Sequence, residues 1–164
     1  MNIKSQVRQQ LQSLMANPAS LPTTVRMTDD DGITMAIDFS AIDSMSCAFS
    51  EITLEVPTLQ NADAATLEQW ARQLSQRVTY LLEQIGPIEI DPAANQVLIR
   101  STPPDQQPDG TTSYEIMLSA HTCGTFTLRR YHAIKGIPGR TQVHMQVTHQ
   151  VLEKLVQDLV DTIP

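Results

Sequence analysis

With 164 residues, 18 acidic against 11 basic side chains and a net charge of −7, the chain is long enough for one domain with a core of its own. That balance disfavours generic binding to nucleic-acid backbones, which depends on lysine and arginine neutralising phosphates. Hydrophobic residues make up 41% and aromatics only 4%, so the core must be aliphatic, with seven methionines as adaptable filler.

Cys47 and Cys123 are too few for a disulfide framework and both fall in apolar, strand-like runs, where a free cysteine acts as a small hydrophobe. No apolar run approaches the ~20 residues of a membrane span. The N-terminus carries Lys4 and Arg8 but no uninterrupted apolar stretch of the signal-peptide kind. The expectation is a cytoplasmic protein with no membrane insertion.

Ile3, Val7, Leu11 and Leu14 recur at helical spacing and form one narrow stripe, ended by Asn17-Pro18. So narrow an apolar edge is expected to pack on the outside of something, another subunit included. Val25 to Thr28 reads as a strand, Asp29-Asp30-Asp31-Gly32 as a turn, and Ile33, Met35, Ile37 and Phe39 as the alternating inner side of a second strand. Cys47 to Val56 is a third strand. Cys47 and Phe49 share one parity while Ile52, Leu54 and Val56 share the other, so a bulge or kink is expected near Ser50.

Residues 63–85 have a helical pattern through Leu67, Trp70, Ala71, Leu74, Val78, Leu81, Leu82 and Ile85, capped by Asn61 or Asp63 and stopped by Gly86-Pro87. A helix of that length would be a rod of about 35 Å. Ile88 to Ile90, an Asp91-Pro92 turn and Val97 to Ser101 suggest a hairpin. Residues 102–112, with three prolines and Asp109-Gly110, are expected to be a mobile loop. Tyr114, Ile116, Leu118 and Ala120 alternate, as do Phe126 and Leu128 in the next strand. Lys135-Gly136 and Pro138-Gly139 supply a turn before a last strand through Val143, Met145 and Val147. Thr148 caps the final helix, with Val147 and Leu152 placed for a hydrophobic staple. Val151, Leu155, Val156, Leu159, Val160 and Ile163 continue its apolar face.

These elements predict a single α+β domain over residues 1–164: a twisted antiparallel sheet covered by helices, in the order α-βββ-α-βββ(β)-α. Through Val7–Leu14, Ile33–Phe39, Ile52–Val56, Leu67–Ile85, Tyr114–Leu128 and Val143–Ile163, that order resembles the type III secretion chaperone-like fold. Some small bacterial proteins, cyanobacterial ones among them, are similar to it too. The resemblance implies helices over a twisted antiparallel sheet, subunits that often dimerise, and a binding module in place of an enzyme. The long 86–112 connection and an extra strand depart from the usual pattern.

Charge marks one candidate site. Arg129, Arg130, Lys135 and Arg140 crowd one hairpin with His132 among them and His144 on the following strand. Such a patch would receive an acidic peptide, a phosphate group or an acidic face of a partner; equally, it would be a solvated hairpin whose charges blunt an edge strand. Arg130 shares a strand face with Phe126 and Leu128, so it must leave the core, pair with an acid or follow a bulge; Glu115 and Glu89 on neighbouring candidate strands are available to pair with it.

His121 and Cys123 point to one side of a strand, and with His132 or His144 they would approach a zinc site, but the spacing lacks a second close ligand pair. A Cys123–His121 nucleophile pair would need an orienting group and an oxyanion hole that nothing in the sequence supplies. Asp29 to Asp31 fits a turn better than a calcium loop, and no glycine pattern cradles phosphate. Met27, Met35 and Met45 read as core, or as an adaptable surface. No catalytic residue, metal or cofactor is expected. Two functions remain. One is a non-catalytic protein-binding or chaperone-like module with a protein partner, a homodimeric partner, or both. The alternative is a small-ligand binder or enzyme with a pocket near the 121–132 segment. A third role for the first helix is simply to seal a dimer.

Overall fold

The computed structural model describes residues 1–101 and 105–164. The Ile3, Val7, Leu11 and Leu14 stripe forms helix α1 (Ile3–Ala16) and is fully buried. Asn2 starts the helix by accepting the Ser5 backbone N–H at 2.8 Å. The stripe packs on strand β1 (Thr23–Thr28), strand β2 (Thr34–Ile42) and helix α3 (His149–Asp161) of the same chain, so its core partners are intramolecular.

The acidic turn works by local hydrogen bonding. Asp29 Oδ1 accepts the N–H groups of Asp31 and Ile33 at 2.9 and 3.0 Å, and Gly32 takes a φ of 81°. Strand β3 (Ser46–Val56) contains the expected irregularity: Ile37 faces Ile52 but Phe39 faces Phe49, leaving an extra residue on β3 at Ser50–Glu51. That bulge lets both Phe49 and Ile52 point into the core.

Helix α2 (Ala64–Arg77) begins at Asp63, whose carboxyl accepts the Thr66 hydroxyl and N–H and is held below the usual carboxylate range by those bonds. Its apolar face, Leu67, Trp70, Ala71 and Leu74, is buried, and Trp70 packs on Phe126 at 6.2 Å between ring centroids. The helix stops at Val78, not at Ile85 as the periodicity predicts. Val78 and Thr79 are β-branched and Tyr80 is aromatic, residues that lose side-chain freedom in a helix. Beyond α2 the chain runs non-helically, the Tyr80 hydroxyl donates to Asp158 Oδ2 of α3 at 2.7 Å, and Ile85 opens strand β4 (Ile85–Asp91). Burial, with the Asp158 bond second, pushes the Tyr80 phenol up. The helical spacing of Val78, Leu81 and Ile85 is served by contacts that a non-helical chain makes equally well.

Strand β5 (Gln96–Ser101) returns from β4, strand β7 (Gly110–Ala120) pairs with β5, and strand β8 (Gly124–Ile134) pairs with β7 over its whole length. Part of the expected mobile loop is ordered: strand β6 (Asp105–Gln107) folds back on Gly110–Thr112 through a tight turn at Pro108-Asp109. Three ladder positions on the edge of β7 left free by β5 stabilise it. Residues 102–104 lie outside the described residues. The last strand divides into β9 (Thr141–Val143) and β10 (Met145–Thr148), and α3 follows directly.

Thr148 Oγ1 accepts the Val151 N–H at 3.1 Å, as the capping pattern predicts. Thr148→Ala is expected to cost about 1 kcal/mol, read as a lower urea midpoint at unchanged slope.

Among the described residues the fold is α+β, with three helices and one antiparallel sheet ordered β1-β2-β3-β8-β7-β5-β4; β6, β9 and β10 attach to β7, β8 and β3. Seven strands lie between α2 and α3, more than the three or four expected. α3 touches both α1 and α2, so the helices form one layer on one face of the sheet. Under them a cross-strand row of Ile37, Ile52, Leu128, Ile116 and Ile99 forms the centre of the core. No helix among the described residues is long and apolar enough to cross a membrane.

Candidate functional site

The β3 bulge has a long-range effect. From Val56–Gly124 to Glu51–Arg129, β3 and β8 are paired; beyond that point they separate. β8 continues as Arg130 to His132 against β9, while β3 continues as Phe49 to Ser46 against β10. Residues 141–148 therefore run in along the β8 arm and out along the β3 arm, with His144 at the apex. The Gln142 side chain fixes the apex to the bulge by donating to the Ser50 carbonyl at 2.9 Å. The expected single strand is split because each half completes the exposed edge of a different arm.

A cleft of about 400 Å³ lies at the fork. Tyr114, Arg130, Val143 and Met145 line it with His132, His144 and Gln107, and Leu82 stands at the side. Arg130 belongs to the inward face of β8, as its parity with Phe126 and Leu128 requires. Its acid is neither Glu115 nor Glu89. Nη1 donates to Glu83 Oε2 at 2.9 Å, Nη2 donates to Thr112 Oγ1 at 3.1 Å, and the guanidinium lies 4.3 Å from the Tyr114 ring centroid. The two charged side chains are 6% and 4% exposed, so the pair is a buried one. Burial also pushes the Tyr114 phenol up. Glu83 was hidden from sequence reasoning because the helical pattern placed it on an α-helix; the irregular segment after α2 delivers it to the cleft.

The other basic residues divide between the two faces. His132 Nε2 lies 3.3 Å from Asp109 Oδ2 on the cleft side. Arg129 points to the opposite face and meets Glu51 at 3.1 Å. Arg140 is also on that face, paired with Glu115 and stacked 3.8 Å from the Tyr131 ring centroid. Lys135 is exposed in the turn after β8, its N–H donating to the Asp109 carbonyl at 2.8 Å. The five residues are thus not one basic surface. The arginines on that face are matched by carboxylates: the β3–β8 pairing sets Glu51 beside Arg129, and the turn before β9 brings Arg140 onto Glu115.

His121 and Cys123 lie in the β7–β8 turn. His132 is nine residues further along β8, a distance on the order of 30 Å, so no cluster of His121, Cys123 and His132 forms. Cys123 is a turn residue, not a strand residue. Cys47 is buried in β3, where desolvation pushes its thiol up to about 12. Met27 and Met35 are core residues, whereas Met45 is exposed at the tip of the β3 arm. Among the described residues, no group of three or more His, Cys, Asp or Glu side chains is placed to hold a metal ion.

Compared with protein-family models, curated proteins and solved structures, the chain has no match.

Proposed function

We propose that the protein is a non-catalytic protein-binding module and that its docking site is the forked end of the sheet. The distribution of exposed apolar side chains supports this reading most strongly. Leu82, Met45 and Ile137, exposed by 78%, 73% and 59%, are the most solvent-accessible large hydrophobic residues in the described chain. Leu82 borders the cleft, Met45 ends the β3 arm and Ile137 lies in the turn that ends the β8 arm. Apolar groups concentrated at one end of a domain, beside a recess, mark a surface that gains by contact with another apolar segment. The locked Arg130–Glu83 pair contributes shape more than free charge. The resemblance in element order to the type III secretion chaperone-like fold favours the same reading.

The test is affinity capture from the protein's own cell extract. Leu82→Asp with Ile137→Asp is expected to remove a stoichiometric protein partner while far-UV circular dichroism stays unchanged. Retention of that partner by the folded double variant would move the contact elsewhere. One observation favours a second reading: the cleft volume of about 400 Å³ falls within the range of small-molecule pockets. A stabilising small molecule found in a thermal-shift screen, lost in His132→Ala with His144→Ala, would select a small-ligand binder instead.

A further inference from the structure

The floor of the cleft is sheet, with Arg130 of β8 between its cross-strand neighbours Tyr114 on β7 and Val143 on β9. Against it lies the strap of residues 78–84 that joins α2 to β4 and belongs to neither. Side chains hold the strap. The Tyr80 hydroxyl donates to Asp158 Oδ2 at 2.7 Å, the Leu82 backbone N–H faces the Tyr114 hydroxyl, and Glu83 Oε2 accepts from Arg130 Nη1 at 2.9 Å. A segment held in this way, outside any helix or ladder, is among the parts of a fold that open most readily. Its two central residues differ sharply: Leu82 is exposed to solvent while the next side chain, Glu83, is buried on the arginine.

We propose that Arg130 is the centre of a carboxylate-recognition site, that Glu83 is its internal occupant, and that an acidic side chain of a partner segment takes the place of Glu83 when the partner docks at the fork. This rests on the docking reading above and names the chemistry of the docked segment. The buried arginine selects the ligand. A strap that opened alone would leave the guanidinium desolvated without its counter-charge, which is strongly unfavourable. A carboxylate that enters as Glu83 leaves exchanges one ion pair for another, so an acid opens the strap where a neutral group does not.

Thr112 Oγ1, 3.1 Å from Nη2, and the Tyr114 ring, 4.3 Å from the guanidinium, keep the arginine oriented through the exchange. His132 and His144 line the same cleft and supply further donors; Asp109, the acid on that side, lies against His132. Val143, Met145 and Leu82 provide apolar contacts for the residues beside the incoming acid. The fitting segment is an acidic residue with an apolar neighbour, the same pairing as Leu82-Glu83. As part of the same chain, Glu83 competes at an effective concentration on the order of millimolar. A lone acid therefore reaches the native site poorly, and a partner must add the apolar contacts.

The experiment uses fluorescence anisotropy of a blocked, labelled peptide with the sequence of residues 79–85, titrated with the full-length protein carrying Glu83→Gln. The peptide is expected to bind this variant saturably. Binding should be about tenfold weaker or more to the native protein, and equally so for the peptide with glutamine in place of its glutamate. Equal affinity for the acidic and amide peptides overturns the proposal, as does the absence of binding to a variant with native circular dichroism. If Glu83→Gln does not fold, hydrogen exchange of the native protein decides. Propionate should speed exchange of the 80–84 amides relative to propionamide with sodium chloride at equal ionic strength, and an unchanged rate overturns the proposal. A partner captured from extract and lost in Leu82→Asp with Ile137→Asp, without these carboxylate effects, leaves the docking site standing and removes the exchange. Carboxylate effects without a captured partner leave the exchange standing and remove the partner.

Discussion

Glu83→Ala is expected to destabilise the protein by about 3–5 kcal/mol. The alanine removes the carboxylate that accepts from Arg130 Nη1; Glu115 and Glu51 face the other way, and Asp109 on the cleft side lies against His132. Thr112 Oγ1 and the Tyr114 ring remain beside the guanidinium, but neither neutralises it. Desolvating a cation without its counter-charge is far more costly than the pair itself is stabilising. The replacement of both partners should therefore be milder than loss of either one. Glu83→Leu with Arg130→Met is expected to recover most of the stability lost in Glu83→Ala. Urea unfolding of the two single variants and the double variant measures the coupling. A Glu83→Ala cost below about 1 kcal/mol would mean that water reaches Arg130 and that the cleft floor is open.

Trp70→Ala is expected to cost a similar amount, about 3–5 kcal/mol. Trp70 is the only tryptophan, is fully buried and joins α2 to β8 through Phe126. The cavity left by alanine lies between a helix and a sheet, two rigid surfaces that close poorly around missing volume. Trp70→Phe should be much less harmful, about 1–2 kcal/mol. Part of the reason is that the indole Nε1–H has no hydrogen-bond partner among the described residues, so its removal deletes an unsatisfied donor. Native tryptophan fluorescence follows unfolding of the parent; circular dichroism must replace it in both variants. Equal losses for alanine and phenylalanine would show that the indole makes a contact beyond simple filling of space.

The two tests address interactions of very different legibility. The place of Trp70 on the apolar face of a helix is readable because its apolar neighbours recur at helical spacing within a few residues. Arg130 was half readable: strand parity placed it inward with Phe126 and Leu128, but its partner lies 47 residues away in sequence. The same distinction separates the basic hairpin as it looks in sequence from the arrangement on the sheet. Arg129 and Arg140 are close to Arg130 along the chain, yet strand alternation and the 135–139 turn put them on the opposite face with Glu51 and Glu115. Proximity in sequence overstated the patch because a strand sends successive side chains to opposite faces.

The residues that decide local geometry determined their structure unaided. Asp29, Asp63 and Thr148 hydrogen-bond to backbone groups two to four positions away, and these turns and caps form where their sequence patterns predict. The parity change between Phe49 and Ile52 required a bulge, and one is present, since a residue of the wrong parity would have exposed half the strand's apolar side. Tertiary structure alone decided where α2 ends, that Asp105–Gln107 becomes a strand, that the last strand divides at His144, and that Glu83 meets Arg130. Each of these is a choice between conformations of similar local free energy, settled by a partner far away in the chain: Asp158 for Tyr80, Thr112 for Asp105, the separate arms of β3 and β8 for residues 141–148. Local hydrogen bonds and side-chain periodicity act over a few residues and are written in the sequence. The fork and its cleft exist only once strands from opposite ends of the chain have paired.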